Sequence, residues 1–165
     1  MAIRDVEVFL EKLKSITSPL TIQVLNAKHI AGWEHLFFAA VNAVKALDSK
    51  KSLSKSLGVE VLLYASCQDQ ISTAFQIFGV SPGVGDLALI VFSKDRESAE
   101  ESFRDAAEFI GVEDDRVLEI EASKFQVLKH FFNISDLELE TRGGENPEAL
   151  TSLIIERGAL LSVHR

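Results

Sequence analysis

The chain has 165 residues, 47% of them hydrophobic and 25% charged, which is typical of one globular domain, here residues 1–165, with its own core. Its 25 acidic side chains outnumber the 17 basic ones, and the formal net charge of −8 argues against broad attraction to free nucleic acid. The single cysteine, Cys67, excludes an intrachain disulfide, and no apolar stretch approaches the ~20 residues that span a bilayer, so we expect a soluble, cytoplasmic protein without membrane contact.

Apolar spacing predicts the elements of the first half of the chain. Apolar residues three and four apart predict a helix over 6–16 and a second, unusually apolar helix over 33–47. Alternating residues in Thr21–Asn26 predict a short strand between them. Val59–Ala65 is a nearly continuous apolar run, which predicts a central strand that is buried on both faces.

The second half continues the alternation of helices and strands. One apolar face predicts a helix over Gln68–Phe78, capped by Gly79. The remaining predicted elements are a buried strand at Asp86–Phe92, a charged helix at Arg96–Ile110, a strand at Arg116–Ile120, a helix that a capping box at Ser123 opens and that runs to Phe132, a helix over 148–157 between Asn146-Pro147 and Gly158, and a strand at Ala159–Val163. Pattern alone therefore favours a sheet of parallel βαβ units covered by helices.

Residues that could carry out catalysis do not form a convincing set. The glycine-rich segment 79–86 follows a predicted helix and precedes a strand, the reverse of a phosphate-binding loop. Cys67 precedes a predicted helix start, which can lower a thiol pKa, but no histidine is near it in sequence. The four histidines lack zinc-ligand spacing. We therefore predict a binding protein rather than an enzyme, with no metal and no cofactor.

Polar residues at the predicted start of the helix over 68–78 have two interpretations. Ser66 and Asp69 have the spacing of a capping box, which would give them a structural role. Gln68 and Gln70 carry amides that can donate to phosphate oxygens or base edges beside free backbone N–H groups.

This segment carries a family resemblance. Tyr64–Gly79 (YASCQDQISTAFQIFG) resembles the signature of the kinase-binding subunit family of the KEOPS (EKC) tRNA-modification complex, A-S-G-Q-R-Q-I followed by A-x-x-x-x-G. The segments 23–27, 35–45 and 53–63 are similar in order and spacing, so that the resemblance covers about residues 21–93.

The resemblance implies a non-catalytic subunit of the complex that installs threonylcarbamoyladenosine in tRNA. It implies an α+β fold with a mixed, largely antiparallel sheet, which we prefer to the parallel arrangement. It also implies contact with the small atypical kinase of the complex and with the tRNA 3′ CCA end. The residues expected at the tRNA contact are Lys28, Ser66, Gln68, Gln70 and Gly79, and those expected at the kinase contact are Phe38, Ile71, Phe75 and Phe78.

Two positions depart from the family motif. Cys67 stands where the motif has glycine, and Asp69 stands where it has arginine. A carboxylate would repel phosphate, so we expect the isolated chain to contact the CCA end only weakly.

A further hypothesis concerns Phe38, which lies off the main apolar stripe of its predicted helix and indicates a second buried surface, against either another element or a partner. The alternative functions are a small α/β enzyme of unknown substrate and a homodimeric scaffold that uses this same helix.

Overall fold

Helices dominate the computed structural model, which describes residues 2–83 and 85–164. The helices are α1 (Val6–Thr17), α2 (Gly32–Asp48), α3 (Leu57–Ser66), α4 (Ile71–Phe78), α5 (Arg96–Ile110), α6 (Ala122–Phe131), α7 (Asp136–Thr141) and α8 (Pro147–Leu160). The strands β1 (Thr21–Asn26) and β2 (Leu87–Phe92) form one antiparallel sheet, and short 3-10 turns occupy Ala27–His29, Asp115–Leu118 and Leu161–Val163. The α+β class is confirmed, and the parallel arrangement that pattern alone favoured is wrong.

Side-chain caps explain where several helices begin. Asp5, Ser56, Asp95, Ser135 and Asn146 each accept a hydrogen bond from a backbone N–H of the first turn. Such caps satisfy donors that have no partner within the helix, at about 1 kcal/mol each. The predicted helices at α1, α2 and α5 and the predicted start of α8 are confirmed, whereas α4 begins at Ile71 and not at the predicted Gln68.

The sheet separates two hydrophobic cores. Its register pairs Thr21 with Phe92 and Asn26 with Leu87, so alternate side chains face opposite sides. Leu25 and Ala88 belong to the larger core, which α2, α3, α4, α6, α7 and α8 complete. On the other side is a small core of the buried residues Ile3, Phe9, Leu13, Val24 and Ala106, between the sheet, α1 and α5.

The prediction of a strand at Val59–Ala65 is wrong, because this segment forms most of α3. Ser56 caps the helix, and every residue from Glu60 to Ser66 is buried. A helix enclosed on all sides has no polar face, so it shows the continuous apolar run of a buried strand. The carboxylate of Glu60 is buried with it and accepts the Ser54 N–H at 2.8 Å.

Two predictions in the last third of the chain are corrected. Residues 116–120 form no strand: the side chain of Asp114 accepts the Arg116 N–H at 3.1 Å and starts a 3-10 turn. Ser123 opens no capping box, because α6 begins at Ala122 with Glu121 as its N-cap residue.

The chain ends in helix rather than strand. Gly158 does not stop α8 but lies buried inside it, where an added Cβ would come within 2.9 Å of the Tyr64 carbonyl oxygen. The predicted strand Ala159–Val163 is therefore the last part of α8 and the turn that follows it.

Candidate functional site

The beginning of α2 carries a cluster of exposed aromatic rings. Trp33, Phe37 and Phe38 are 62%, 52% and 43% exposed, whereas His35 and Leu36 face the core. The rings of Trp33 and Phe37 are 6.1 Å apart, and those of Phe37 and Phe38 are 5.4 Å apart. Phe38 therefore contributes to an external apolar surface rather than to the core.

A groove of about 780 Å³ runs beside these rings. It lies between the start of α2, the 3-10 turn Asp115–Leu118 and the start of α8. Phe38, Leu118 and Ile155 supply apolar lining. The Thr151 hydroxyl donates to the Ala31 carbonyl at 3.2 Å and ties α8 to the residue before α2. Together the groove and the rings form one continuous, largely apolar surface at the start of α2.

The turn between α3 and α4 carries Gln68 and Gln70, two of the five residues expected at the tRNA contact, and Asp69 between them. Gln68 is half-buried, and Asp69 and Gln70 are exposed. Gln70 is the N-cap residue of α4, yet its side chain accepts from the Thr73 hydroxyl at 3.2 Å and caps no backbone N–H. Its amide group therefore faces solvent at a helix start.

Two predicted contact residues are corrected, because both are fully enclosed. Ser66 is buried, and its hydroxyl donates to the Leu62 carbonyl at 2.7 Å, so the capping box predicted from Ser66 and Asp69 is wrong. Phe78 is buried, with its ring edge-on to His29 and His35. Neither can touch a partner in this structure.

Ile71 and Phe75, the other predicted contacts of α4, are 40% and 46% exposed. The helix ends at Gly79, where any Cβ would overlap the Phe75 carbonyl oxygen. Gly79 is therefore required by local packing, and its place in the motif has a structural explanation.

Lys28 lines a second recess, of about 470 Å³, together with Lys124 and Asp86. The Lys124 ammonium donates to the Val117 carbonyl at 3.1 Å. Burial lowers the pKa of Lys124, and the Asp86 carboxylate opposes that shift. The two lysines make this a locally cationic spot on an acidic protein. Lys124 escaped sequence reasoning because only the fold brings α6 next to the turn after β1.

The Cys67 thiol is shielded from water, and the buried His35 ring is held by hydrogen bonds. Burial raises the pKa of the Cys67 thiol to about 12, the opposite of an activated thiol. His35 uses both ring nitrogens: Nδ1 accepts the Ala31 N–H at 3.0 Å, and Nε2 lies 2.9 Å from the Ala65 carbonyl oxygen. Within residues 2–83 and 85–164, no group of three or more His, Cys, Asp or Glu side chains could hold a metal ion.

No helix in the described part of the chain is long and apolar enough to cross a membrane.

Comparison with known proteins gives two findings. The family described as kinase binding protein CGI-121 matches residues 2–162. A regulatory protein Cgi121 from Methanocaldococcus jannaschii is 36% identical over 116 residues, which is 70% of this chain and 72% of that protein.

Proposed function

Because this chain belongs to the kinase binding protein CGI-121 family, we propose that it is a regulatory subunit that binds the small atypical kinase of the KEOPS complex. In this proposal its role is non-catalytic: it binds the kinase and helps to engage the 3′ end of tRNA for threonylcarbamoyladenosine modification.

The exposed aromatic cluster of α2 carries the kinase-binding proposal. Three neighbouring aromatic residues, Trp33, Phe37 and Phe38, are roughly half exposed. Exposed apolar patches of this kind are typical of surfaces that bind another protein. Aromatic side chains are enriched in the cores of protein interfaces, and a few of them carry most of the binding energy. We assign Phe38 to the kinase contact, together with the exposed Ile71 and Phe75 of α4.

Replacing Phe38 by Asp tests this assignment. The variant places a charge where an apolar contact is proposed, so we expect the Kd for the kinase to rise about 30-fold or more, with an unchanged circular dichroism spectrum and Tm. Leu137→Asp is the matched control, since Leu137 is an exposed leucine on α7 that does not line the groove beside α2. Isothermal titration calorimetry measures the Kd, and equal loss in both variants would contradict the assignment.

Size-exclusion chromatography separates this function from a homodimeric scaffold. The chain alone should elute as a monomer and shift to a 1:1 complex when the kinase is added. The homodimeric scaffold would be favoured instead if the chain alone formed a dimer, if Phe38→Asp dissociated this dimer, and if adding the kinase did not change its elution.

We further propose a weak contact with the tRNA 3′ end that involves the start of α4 and, separately, the recess that Lys28 lines beside the end of α4. Lys28 can neutralise a phosphate, and the amides of Gln68 and Gln70 can donate to phosphate or base edges. The exposed carboxylate of Asp69 lies in the same turn and opposes such a contact.

Gel-shift titration with tRNA that has or lacks its 3′ CCA tests this contact. We expect weak, CCA-dependent binding that Asp69→Arg strengthens and Lys28→Ala weakens. Lys14→Ala, on α1, is the charge-matched control for Lys28→Ala. Equal binding of both tRNAs would contradict recognition of the 3′ end, and tight binding by the unmodified chain would contradict the inhibitory role of Asp69.

A further inference from the structure

We infer that the groove between the start of α2, the turn Asp115–Leu118 and the start of α8 binds a protruding segment of the kinase that carries arginine or lysine beside apolar side chains. This inference rests on the proposed function and adds the location and the chemistry of the contact.

The shape of the groove fits a short segment rather than a domain surface. Its volume of about 780 Å³ is in the range of pockets that enclose a small ligand or a few side chains. Phe38, Leu118, Ile120 and Ile155 give it an apolar lining, so an occupant gains by bringing apolar side chains.

The charge of the groove selects a cationic occupant. Its acidic lining residues are Glu34, Asp115, Glu119 and Glu148, and among residues 2–83 and 85–164 no Lys, Arg or His lines it. Glu34 and Glu148 lie in the first turns of α2 and α8, whose N-termini contribute about half a positive charge each. The four carboxylates outweigh these two partial charges, so the groove is acidic.

The cation closest in sequence does not neutralise this charge. The guanidinium of Arg116 is bonded to Asp114, with 2.7 Å between its nitrogen and a carboxylate oxygen. Arg116 is therefore held by Asp114, and it acts on the groove residue Glu119 only as a weaker, longer-range charge. A positive side chain from a partner would neutralise the carboxylates that line the groove.

Trp33 adds a reason to expect a cation. Its indole lines the groove and is 62% exposed. Indole is the best aromatic partner for a cation, and arginine is found over aromatic faces more often than lysine. A guanidinium between the indole and the carboxylates of the groove would form a cation–π contact with the ring and ion pairs with the carboxylates.

Two hydrogen bonds tie the walls of the groove to the rest of the fold in the unbound chain. The bond from Thr151 to the Ala31 carbonyl joins α8 to the start of α2, and the bond from Lys124 to the Val117 carbonyl anchors the 3-10 turn to α6. A preformed groove loses little conformational entropy on binding, which favours affinity.

Charge reversal tests the inference with the kinase subunit from the same organism. We expect Asp115→Lys combined with Glu119→Lys to raise the kinase Kd at least about 10-fold at low salt. The matched control, Glu101→Lys with Asp105→Lys, changes the net charge equally on the exposed face of α5 and should stay within about 2-fold.

A spectroscopic measurement on the otherwise unaltered chain covers the case in which the reversed variant fails to fold. Trp33 is the only tryptophan, so 5-fluorotryptophan labelling gives a single ¹⁹F resonance from the groove. We expect this resonance to shift when unlabelled kinase is added. If the kinase binds but neither the resonance nor the reversed variant responds, the groove is not the docking site. If the unaltered chain binds no kinase, the proposed function itself fails.

Discussion

At the scale of single residues, Cys67 gives a physical meaning to one departure from the family motif. It is the C-cap residue of α3 and has a left-handed backbone with φ 55°. This conformation is unfavourable for residues with a side chain and natural for glycine. Glycine in the motif is therefore explained by the backbone, and the sulfur of Cys67 fills the space between α3 and α8, 3.8 Å from the Tyr64 and Ile154 carbonyl oxygens.

Two replacements of Cys67 should differ in stability. Both Cys67→Gly and Cys67→Ala lose the buried sulfur, but only glycine relieves the positive φ. We expect Cys67→Gly to be more stable than Cys67→Ala by about 1 kcal/mol. Urea denaturation of the two variants measures this difference, and an alanine variant of equal or greater stability would contradict it.

His35 should make stability depend on pH. Burial lowers its pKa from the ordinary 6.5 to about 4, although the bond to the Ala65 carbonyl favours the charged ring. Below pH 6.5 the unfolded chain takes up a proton that the folded chain refuses. Stability from this group is therefore complete above pH 6.5 and is lost as the pH falls toward 4, by up to about 1.4 kcal/mol per pH unit.

Urea denaturation at pH 7, 6 and 5 tests this dependence. His29 contributes in the same direction, because burial lowers its pKa as well. His35→Gln should therefore reduce the slope of the unfolding free energy against pH by the contribution of one proton, and the contribution of His29 should remain. A variant with an unchanged slope would show that His35 is not the titrating group.

At the scale of elements, sequence patterns correctly predicted the helices that have one exposed polar face but not the helix that is buried on all sides. The helix α5 has one charged face, and its predicted limits, Arg96 and Ile110, are those of the structure. The helix α3 lies under α2, α4 and α8, so its sequence contains no polar face from which a period could be read. Its cap, Ser56, was the available local signal.

The sequence drew attention to only part of the candidate site. Phe38 was singled out because it lies off the apolar stripe of its predicted helix, and Phe75 because of the family resemblance. The groove unites α2, α8 and the turn Asp115–Leu118, which are distant in the chain, and no spacing rule joins them. The burial of Ser66 and Phe78 also could not be read from the sequence, because it depends on contacts with residues that are distant in the chain.

The contact between α3 and α8 should not tolerate a methyl group at Gly158. Alanine favours helix by about 1 kcal/mol over glycine, yet here its Cβ would lie 2.9 Å from the Tyr64 carbonyl oxygen. We expect Gly158→Ala to lower the free energy of unfolding by about 1–3 kcal/mol. Gly85→Ala, where no atom lies within 4 Å of the added Cβ, is the control and should be nearly neutral.

At the scale of the whole molecule, the sheet separates the small core from the side that carries α2 and α4. Leu13 is 1% exposed in the small core, on the side of the sheet away from α2 and α4. Leu13→Ala should lower the free energy of unfolding by about 2–4 kcal/mol. At temperatures where the variant stays folded, its kinase Kd should equal that of the unaltered chain, and a matching loss of affinity would show that the two sides of the sheet are coupled.

The pairing of β1 with β2 also bears on the order in which the chain folds. The helices α2 and α3 are neighbours in sequence and pack extensively, whereas the pairing of Thr21 with Phe92 must close a loop that contains α2, α3 and α4. Contacts between distant segments are slow to form because loop closure costs entropy before the contacts repay it. We therefore expect the α2–α3 hairpin to gain hydrogen-exchange protection early in refolding, and α1 to dock only after β2 and α5 provide a surface for it.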